Sequence, residues 1–516
     1  MPFGSEVQSD TSELSFQSVD EVKDGIFKQV TEIIQWILTC KAIDFLRFED
    51  QLVARVCDLG KLFILLFLCK RQEDWQLTLK YKQIDGKSQG LKDRLIGTTF
   101  GKVRYWRTYI YRGKIGGGYY PLDAELGLPW DGFSMLLRSY AARIATKMSY
   151  GQAVTVLSMF LKWSPSQKTV EEMVLGLGRL TGQWFEHAPA PANDGDVLFI
   201  QIDSKATPTA TEEELKNRRG KRAKNPHPGS QRHRGKANRN RRGSKKRKKK
   251  GDKTKNGKMC TIVVMYTLKR SNDGKLEGPI NKKVYASYAP KRHAVAIARR
   301  EADKRGFTEN SGKLVQIVTD GDNDLDRYIR GGFREVIHTI DVFHVVEYLW
   351  DAGRCLYKEG SDELNEWVEA MKEALYGGRV SEIIEEIEKR LRSLPRRGPG
   401  VKGKRERLEK VRTYLSKRQS NMDYKSLREE DLEISSGAVE GAVNYVVAKR
   451  FDSGGMRWIK ERAEALLQLR CIEVNDDWDA YITYVNEKTI RQAQRLQENF
   501  FLKSKEAEEL PTYGVN

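Results

Sequence analysis

The stretches "VLFIQID" (197–203) and "LVQIVTDGDNDL" (314–325) decide the fold. Each opens as an apolar run with no polar face, the pattern of a strand buried on both sides of a sheet. Each run then stops on a carboxylate, Asp203 in the first and Asp320 in the second, with Asp322 and Asp324 close behind. A third segment, "VIHTID" (336–341), ends in the same way on Asp341. In open α/β sheets the functional crevice lies at the carboxyl ends of the strands. A single Asp there also starts turns and caps helices, so each has an ordinary structural reading too. Three around one sheet is a pattern that repulsion disfavours unless a cation joins them, and hard oxygen ligands suit Mg2+ or Mn2+.

Outward from these runs the chain predicts a layered α/β domain. "MCTIVVMYTLK" (259–269) and "KKVYASYAP" (282–290) follow as strands, and "RHAVAIARREADKRG" (292–306) as a helix. The strand ending at Asp320, a short helix "DLDRYIRGG", the strand ending at Asp341 and a helix "VFHVVEYLWDAGRCLYK" complete the alternation. Asp322 and Asp324 are expected to cap the short helix. Residues 360–432 read as charged helices, and helical sequence continues to about residue 501.

Upstream, residues 18–83 read mostly as helix and "GTTFGKVRYWRTYIYRG" (97–113) as a strand pair. "GGGYYPLDAELGLP" (116–129) is a turn-rich connector. Three helices are predicted over 133–187; Ser149 is a candidate cap for the second, and Thr169 with Glu172 a capping box for the third. The junction "KWSPSQ" fits a helix-turn-helix and equally a plain helical hairpin. "APAPANDGD" (188–196) marks a domain boundary.

The 516 residues carry a net charge of +20, and it is concentrated. Residues 216–258 hold 21 Lys and Arg against one Asp, which leaves 70 basic and 70 acidic residues elsewhere. This segment, with Lys245, Lys246, Arg247, Lys248, Lys249 and Lys250 at its heart, has almost no apolar residue to bury. It reads either as a solvated insertion or as a disordered arm that neutralises phosphates. The six Cys are scattered without a Cys-x-x-Cys pair, which argues against a disulfide framework or zinc site and for a reducing compartment. The polar, acidic N-terminus is no signal peptide, and "LFILLFLC" is too short to span a membrane.

The helix "SSGAVEGAVNYVVAKRF" (435–451) offers a fourth carboxylate. Ala438, Val439, Ala442, Val443, Val446 and Val447 form an apolar stripe, and Glu440 falls at its edge. Glu440 is therefore either an ordinary surface residue or a partner for the strand-end aspartates.

"QIDSK", "VTDGD", "IDVFHVVEYLW", "SSGAVEG" and "GMRW", in this order, resemble the DDE transposases of bacterial insertion sequences, especially the Kra-type branch related to Mutator-like and ISL-type enzymes. "PLDAELGLP" resembles a block upstream of that family's catalytic domain. The likeness runs from about residue 95 to 480. It implies an α/β, RNase H-like catalytic domain with a helical insertion, preceded by a mainly helical DNA-binding region. The implied catalytic and metal-holding residues are Asp203, Asp320 and Glu440, with Asp341 and His344 in support. Two Mg2+ or Mn2+ ions about 3.5–4 Å apart would serve cleavage and strand transfer. The implied partners are double-stranded DNA, as terminal inverted repeats and target, and further copies of the chain on paired ends, in the bacterial cytoplasm at the nucleoid. Relatives often carry cysteines before the "PLD" block; this chain has "YRGKIGGGYY" there, so no zinc site is expected.

The expected organisation is a helical region 1–94, a strand pair with helix-turn-helix-like region 95–190, a core 196–358 interrupted by the basic insertion 216–258, a helical insertion domain 359–432, and the Glu440 helix with C-terminal helices 433–516. Two rival functions remain: an RNase H-like nuclease without strand transfer, and a decayed, non-catalytic nucleic-acid-binding relative.

Overall fold

A computed structural model describes residues 18–41, 44–81, 86–113, 117–129, 131–216, 257–395, 397–452 and 456–501. Nearly all of the basic segment, Lys245–Lys250 included, and Gly455 of "GMRW" lie outside the described residues. The chain is mixed α/β and divides into two compact units, Met1–Leu180 with Asp477–Asn516, and Thr181–Asp476.

In the first unit, helices Val19–Thr39 and Phe45–Tyr81 pack on a sheet of β1 (Lys87–Thr98), β2 (Gly101–Tyr111) and β3 (Gly118–Tyr119). Val22, Ile26, Leu62, Leu65 and Leu68 meet Ile96, Val103 and Tyr105 in its core. Gln72 ties the long helix to the sheet: its amide donates to Thr108 Oγ1 at 2.6 Å and its oxygen accepts from Thr108 N at 3.1 Å. The "PLD" block is a short helix, Pro121–Glu125. Its Asp123 is a charge hub that accepts from Tyr105 Oη at 2.6 Å and Arg94 Nη1 at 2.8 Å and pairs with Arg107.

Helices Met135–Lys147, Tyr150–Phe160 and Gln167–Gly178 follow, and Trp478–Phe501 at the far end of the chain belongs to the same unit. Ser149 makes a full capping box with Gln152. The third helix is capped by Ser166, whose Oγ accepts from Thr169 N at 3.1 Å, and not by Thr169. The extended backbone of Ser166 makes it the residue that can turn its hydroxyl back on the first turn. The expected third helix is also two, since Thr181–His187 is separate.

The second unit is built on a five-stranded sheet in the order β6-β5-β4-β7-β8. The strands are β4 (Val197–Pro208), β5 (Gly257–Arg270), β6 (Leu276–Ser287), β7 (Leu314–Thr319) and β8 (Ile337–Ile340). β4 is central, antiparallel to β5 and parallel to β7; β5–β6 is antiparallel and β7–β8 parallel. Leu198, Ile200, Ile202, Val315 and Ile317 point to one face and pack on helices Lys291–Lys304 and Asn323–Gly332 through Ala294, Ala298, Leu325 and Ile329. Between β8 and the Glu440 segment, helices Asp362–Tyr376, Val380–Ser393 and Val401–Arg418 stack on one another and on Val342–Leu356.

Candidate active site

The register of the parallel strands places the aspartates. Ile202 pairs with Thr319, and Thr319 with Ile340, so Asp203, Asp320 and Asp341 are the next residues on three adjacent strands. Alternation along a strand puts them on the same face as Gln201 and Gln316, opposite the apolar core described above.

Their surroundings differ. Asp341 is fully buried and its oxygens are committed: Oδ1 caps the following helix by accepting from Phe343 N at 2.7 Å, and Oδ2 accepts from Ser436 N at 3.2 Å and from Ser436 Oγ. Asp322 is the cap of helix Asn323–Gly332, accepting from Asp324 N and Leu325 N, and its second oxygen meets Lys291 Nζ at 2.9 Å. Asp324 sits in that helix's first turn and pairs with Arg327 at 2.8 Å. Asp320 and Asp203 are half-buried, and each accepts one backbone bond, from Asp322 N at 2.9 Å and from Ser204 N at 2.6 Å respectively.

Glu440 arrives on an exposed turn of helix Gly437–Ala442. Val439, Ala442, Val446 and Val447 are buried as the stripe requires. Past Ala442 the expected single helix becomes π-helical over Val443–Ala448 before resuming at Lys449–Phe451. Single π turns of this kind are frequent at functional sites.

The segment leading into this helix is fastened to the sheet by residues that the sequence reading passed over. Gln201 donates to Ser435 O at 3.1 Å and accepts from Val439 N at 2.7 Å. Gln316 donates to Glu433 O at 2.7 Å and accepts from Glu433 N at 3.2 Å. Val342 N donates to Ile434 O at 3.0 Å, and Ser436 is held by Asp341. A signal was available: a Gln inside an apolar, doubly covered strand needs a partner for both ends of its amide.

The loop after β7 is braced by helix Val401–Arg418. Tyr414 Oη donates to Asp320 O at 2.9 Å, and Arg418 Nη2 donates to Asn323 Oδ1 at 2.7 Å. Asn421 and Tyr424 donate to the carbonyls of His338 and Ile340, each at 2.8 Å. Gly321 has φ +75°, and a Cβ there would lie 2.7 Å from Arg418 Nε, so the turn requires glycine.

Charge shows which of these groups act on one another. Burial pushes the Asp203 carboxyl above the usual carboxylate range; the Ser204 N–H draws it back, the Asp320 charge raises it again, His344 lowers it and Glu440 raises it. Burial likewise raises Asp341, against the pull of the Phe343 N–H and His344 and with a push from Glu440. His344 is half-exposed, with Nδ1 3.6 Å from Glu347 Oε2. The charges of Asp320, His344 and Glu440 therefore all reach Asp203. The donor set, carboxylate oxygens under mutual repulsion, fits a hard cation. Among the described residues, however, no three His, Cys, Asp or Glu side chains are gathered tightly enough to grip an ion. All six cysteines are free thiols.

Two outcomes follow from this arrangement. Gln201→Leu should cost roughly 2–6 kcal/mol in urea denaturation, because it strands one buried and one part-buried backbone group at ~1–3 kcal/mol each. Asp203→Asn should stabilise the metal-free protein. A carboxyl raised in the folded state stabilises only below its unfolded pKa, and that contribution is lost as pH rises through the folded value. The melting-temperature gain of the Asn variant should accordingly be largest near pH 7 and shrink on acidification, and added Mg2+ or Mn2+ should raise the melting temperature of the wild type alone.

No family model matches the chain, and no curated protein matches it. Among solved structures it is similar to the Drosophila P element transposase strand transfer complex, at 11% identity and TM-score 0.20, over 72% of this chain and 87% of that one. A TM-score this low does not establish a shared fold. Among the described residues no helix is long and apolar enough to cross a membrane.

Proposed function

We propose that the chain is a DDE-type DNA transposase of the bacterial insertion-sequence kind, in the Kra-type branch, with an RNase H-like catalytic core. The observation that carries this reading is the in-register placement of Asp203 and Asp320 on adjacent strand ends, with Glu440 brought into their electrostatic field by the Gln201 clamp. The mixed sheet, with its first strand central, antiparallel on one side and parallel on the other, supports the same core.

Asp203, Asp320 and Glu440, once drawn closer together than they stand without an ion, would hold Mg2+ or Mn2+. The chemistry such ions supply when bound is activation of the attacking oxygen and stabilisation of the leaving one. The chain's own residues do the rest. Asp341 and Gln201 fix the approach of the Glu440 helix, and Tyr414 and Arg418 fix the turn that carries Asp320. His344, whose charge reaches Asp203, orients a carboxylate or donates to a phosphate oxygen. In the first step water adds to an end phosphate and the P–O3′ bond breaks, freeing a 3′-hydroxyl. In the second step that hydroxyl attacks a target phosphate, gives up its proton and displaces a target 3′-oxygen. The basic segment neutralises DNA phosphates, and the protein works as a multimer on paired ends at the nucleoid.

The discriminating measurement is cleavage and joining of labelled end DNA in Mg2+ or Mn2+. Asp320→Asn should abolish both while DNA binding and folding persist. Asp322→Asn should stay active and lose about 1 kcal/mol of stability or less, since Asn also caps well. Normal cleavage by Asp320→Asn would overturn the assignment. Hydrolysis without joining of a pre-cut end would identify a nuclease instead. Removing residues 217–256 should weaken binding to specific and random duplex alike and flatten its salt dependence; an unchanged slope would rule out a phosphate-neutralising arm.

A further inference from the structure

Among the described residues, the first unit carries an apolar surface that its own packing leaves open. Helices Val19–Thr39 and Phe45–Tyr81 run antiparallel: Val19 N donates to Glu73 Oε1 at 3.1 Å at one end, and Trp36 stacks on Phe48 at 5.2 Å at the other. Arg55 lies 4.5 Å over the Trp36 ring and locks that tip. One side of the pair is spent on the sheet through Val22, Ile26, Leu62 and Leu65. The other side is apolar and bare: Phe27 is 70% exposed, Leu38 71%, Phe45 76% and Leu46 76%. The exposed residues recur at helical steps. Phe27, Ile34 and Leu38 are seven and four apart on the first helix; Leu46, Val53, Val56, Phe63 and Phe67 are seven, three, seven and four apart on the second. These are the spacings of a helix face meant to be covered.

We propose that this hairpin is a homodimer interface, in which the bare faces of two copies close into a four-helix bundle. Area supports a partner of this size. The exposed large apolar residues between Phe27 and Phe67 offer roughly 1,000 Å², above the ~300–600 Å² of the largest patch on a typical monomer and the ~800 Å² per partner of a standard interface. Shape supports a second copy, because two antiparallel amphipathic helices make half of such a bundle and need a matching pair to complete its core. Charge supports it too. Residues 27–56 hold Lys28, Lys41, Arg47 and Arg55 against Glu32, Asp44, Glu49 and Asp50, so two copies do not repel and the tip offers nothing to a polyanion. The inference deepens the multimeric part of the proposed function by naming its surface, and it stands or falls separately from the catalytic part, since none of these residues belongs to that site and cleavage by Asp320→Asn tests the other.

The test is the mass of the full chain by sedimentation velocity, freed of nucleic acid and in high salt so that DNA bridging is screened. The wild type should sediment as two chains of 59.3 kDa. Leu38→Glu with Leu46→Glu should raise the dimer dissociation constant at least ~10-fold and leave the circular dichroism unchanged. A wild type that stays a single chain at high micromolar concentration, or a folded double variant that remains dimeric, overturns the proposal. Hydrogen exchange on the wild type serves if the variant fails to fold. Protection of residues 27–56 should rise with protein concentration, and concentration-independent exchange overturns the idea. Self-association that appears only after residues 1–17 are removed would show the chain's own tail to be the occupant, and would also overturn it.

Discussion

The parallel pairing of β4 with β7 is the constraint on which the site depends. It aligns Ile202 with Thr319 and so delivers Asp203 and Asp320 side by side, whatever the loops beyond them do. A slip of one residue would turn one carboxylate into the apolar layer around Ala298 and Leu325. The register is protected because the core face of β4 is apolar and the other face carries Gln201 and Gln316, whose amides bond the segment leading to Glu440. Sheet and helix segment thus check each other: the strands set the aspartates, and the glutamines set the approach of Glu440.

The electrostatic cost of the arrangement falls on Asp203 and, as burial raises it too, on Asp341. At Asp203 burial and like-charged neighbours oppose ionisation, and the strand pairing of β4 holds the carboxyl in that place nonetheless. Strain of this electrostatic kind is what perturbed groups at functional sites commonly show. Asp341 illustrates the contrast. It occupies the equivalent place one strand along, but both its oxygens are filled by hydrogen-bond donors of the chain, so it serves the architecture.

Much of this was legible in the sequence because it depends on local pattern. "VLFIQID" and "LVQIVTD" read as central strands since no amphipathic alternative exists for them, and the carboxylates at their ends follow from chain order alone. The Val439–Val447 stripe was likewise visible at helical spacing. What escaped required knowledge of partners far away in the chain. Gln201 meets Val439 across 238 residues, and Tyr414 reaches Asp320 across 94. The π turn at Val443–Ala448 has no signature in residue type, because it adjusts the helix to tertiary packing. The cap at Ser166 was missed because the capping-box pattern of Thr169 and Glu172 sets the start of the helix three residues further along. The bare faces of the N-terminal hairpin were hidden for another reason. Residue spacing says that a helix has apolar sides, and the structure alone says which of them the sheet covers.

The fastening of residues 433–439 acts almost wholly on main-chain atoms: the N–H and carbonyl of Glu433, the carbonyls of Ile434 and Ser435, the N–H groups of Ser436 and Val439. Robustness to mutation is therefore distributed unevenly. The gripping side chains, Gln201, Gln316 and Asp341, have no substitutes, whereas several of the gripped positions are free to drift so long as they keep an N–H. Proline is the exception, since at 433, 436 or 439 it would delete the very group being held. Sequence divergence in this segment can run far ahead of any change in where its glutamate is carried.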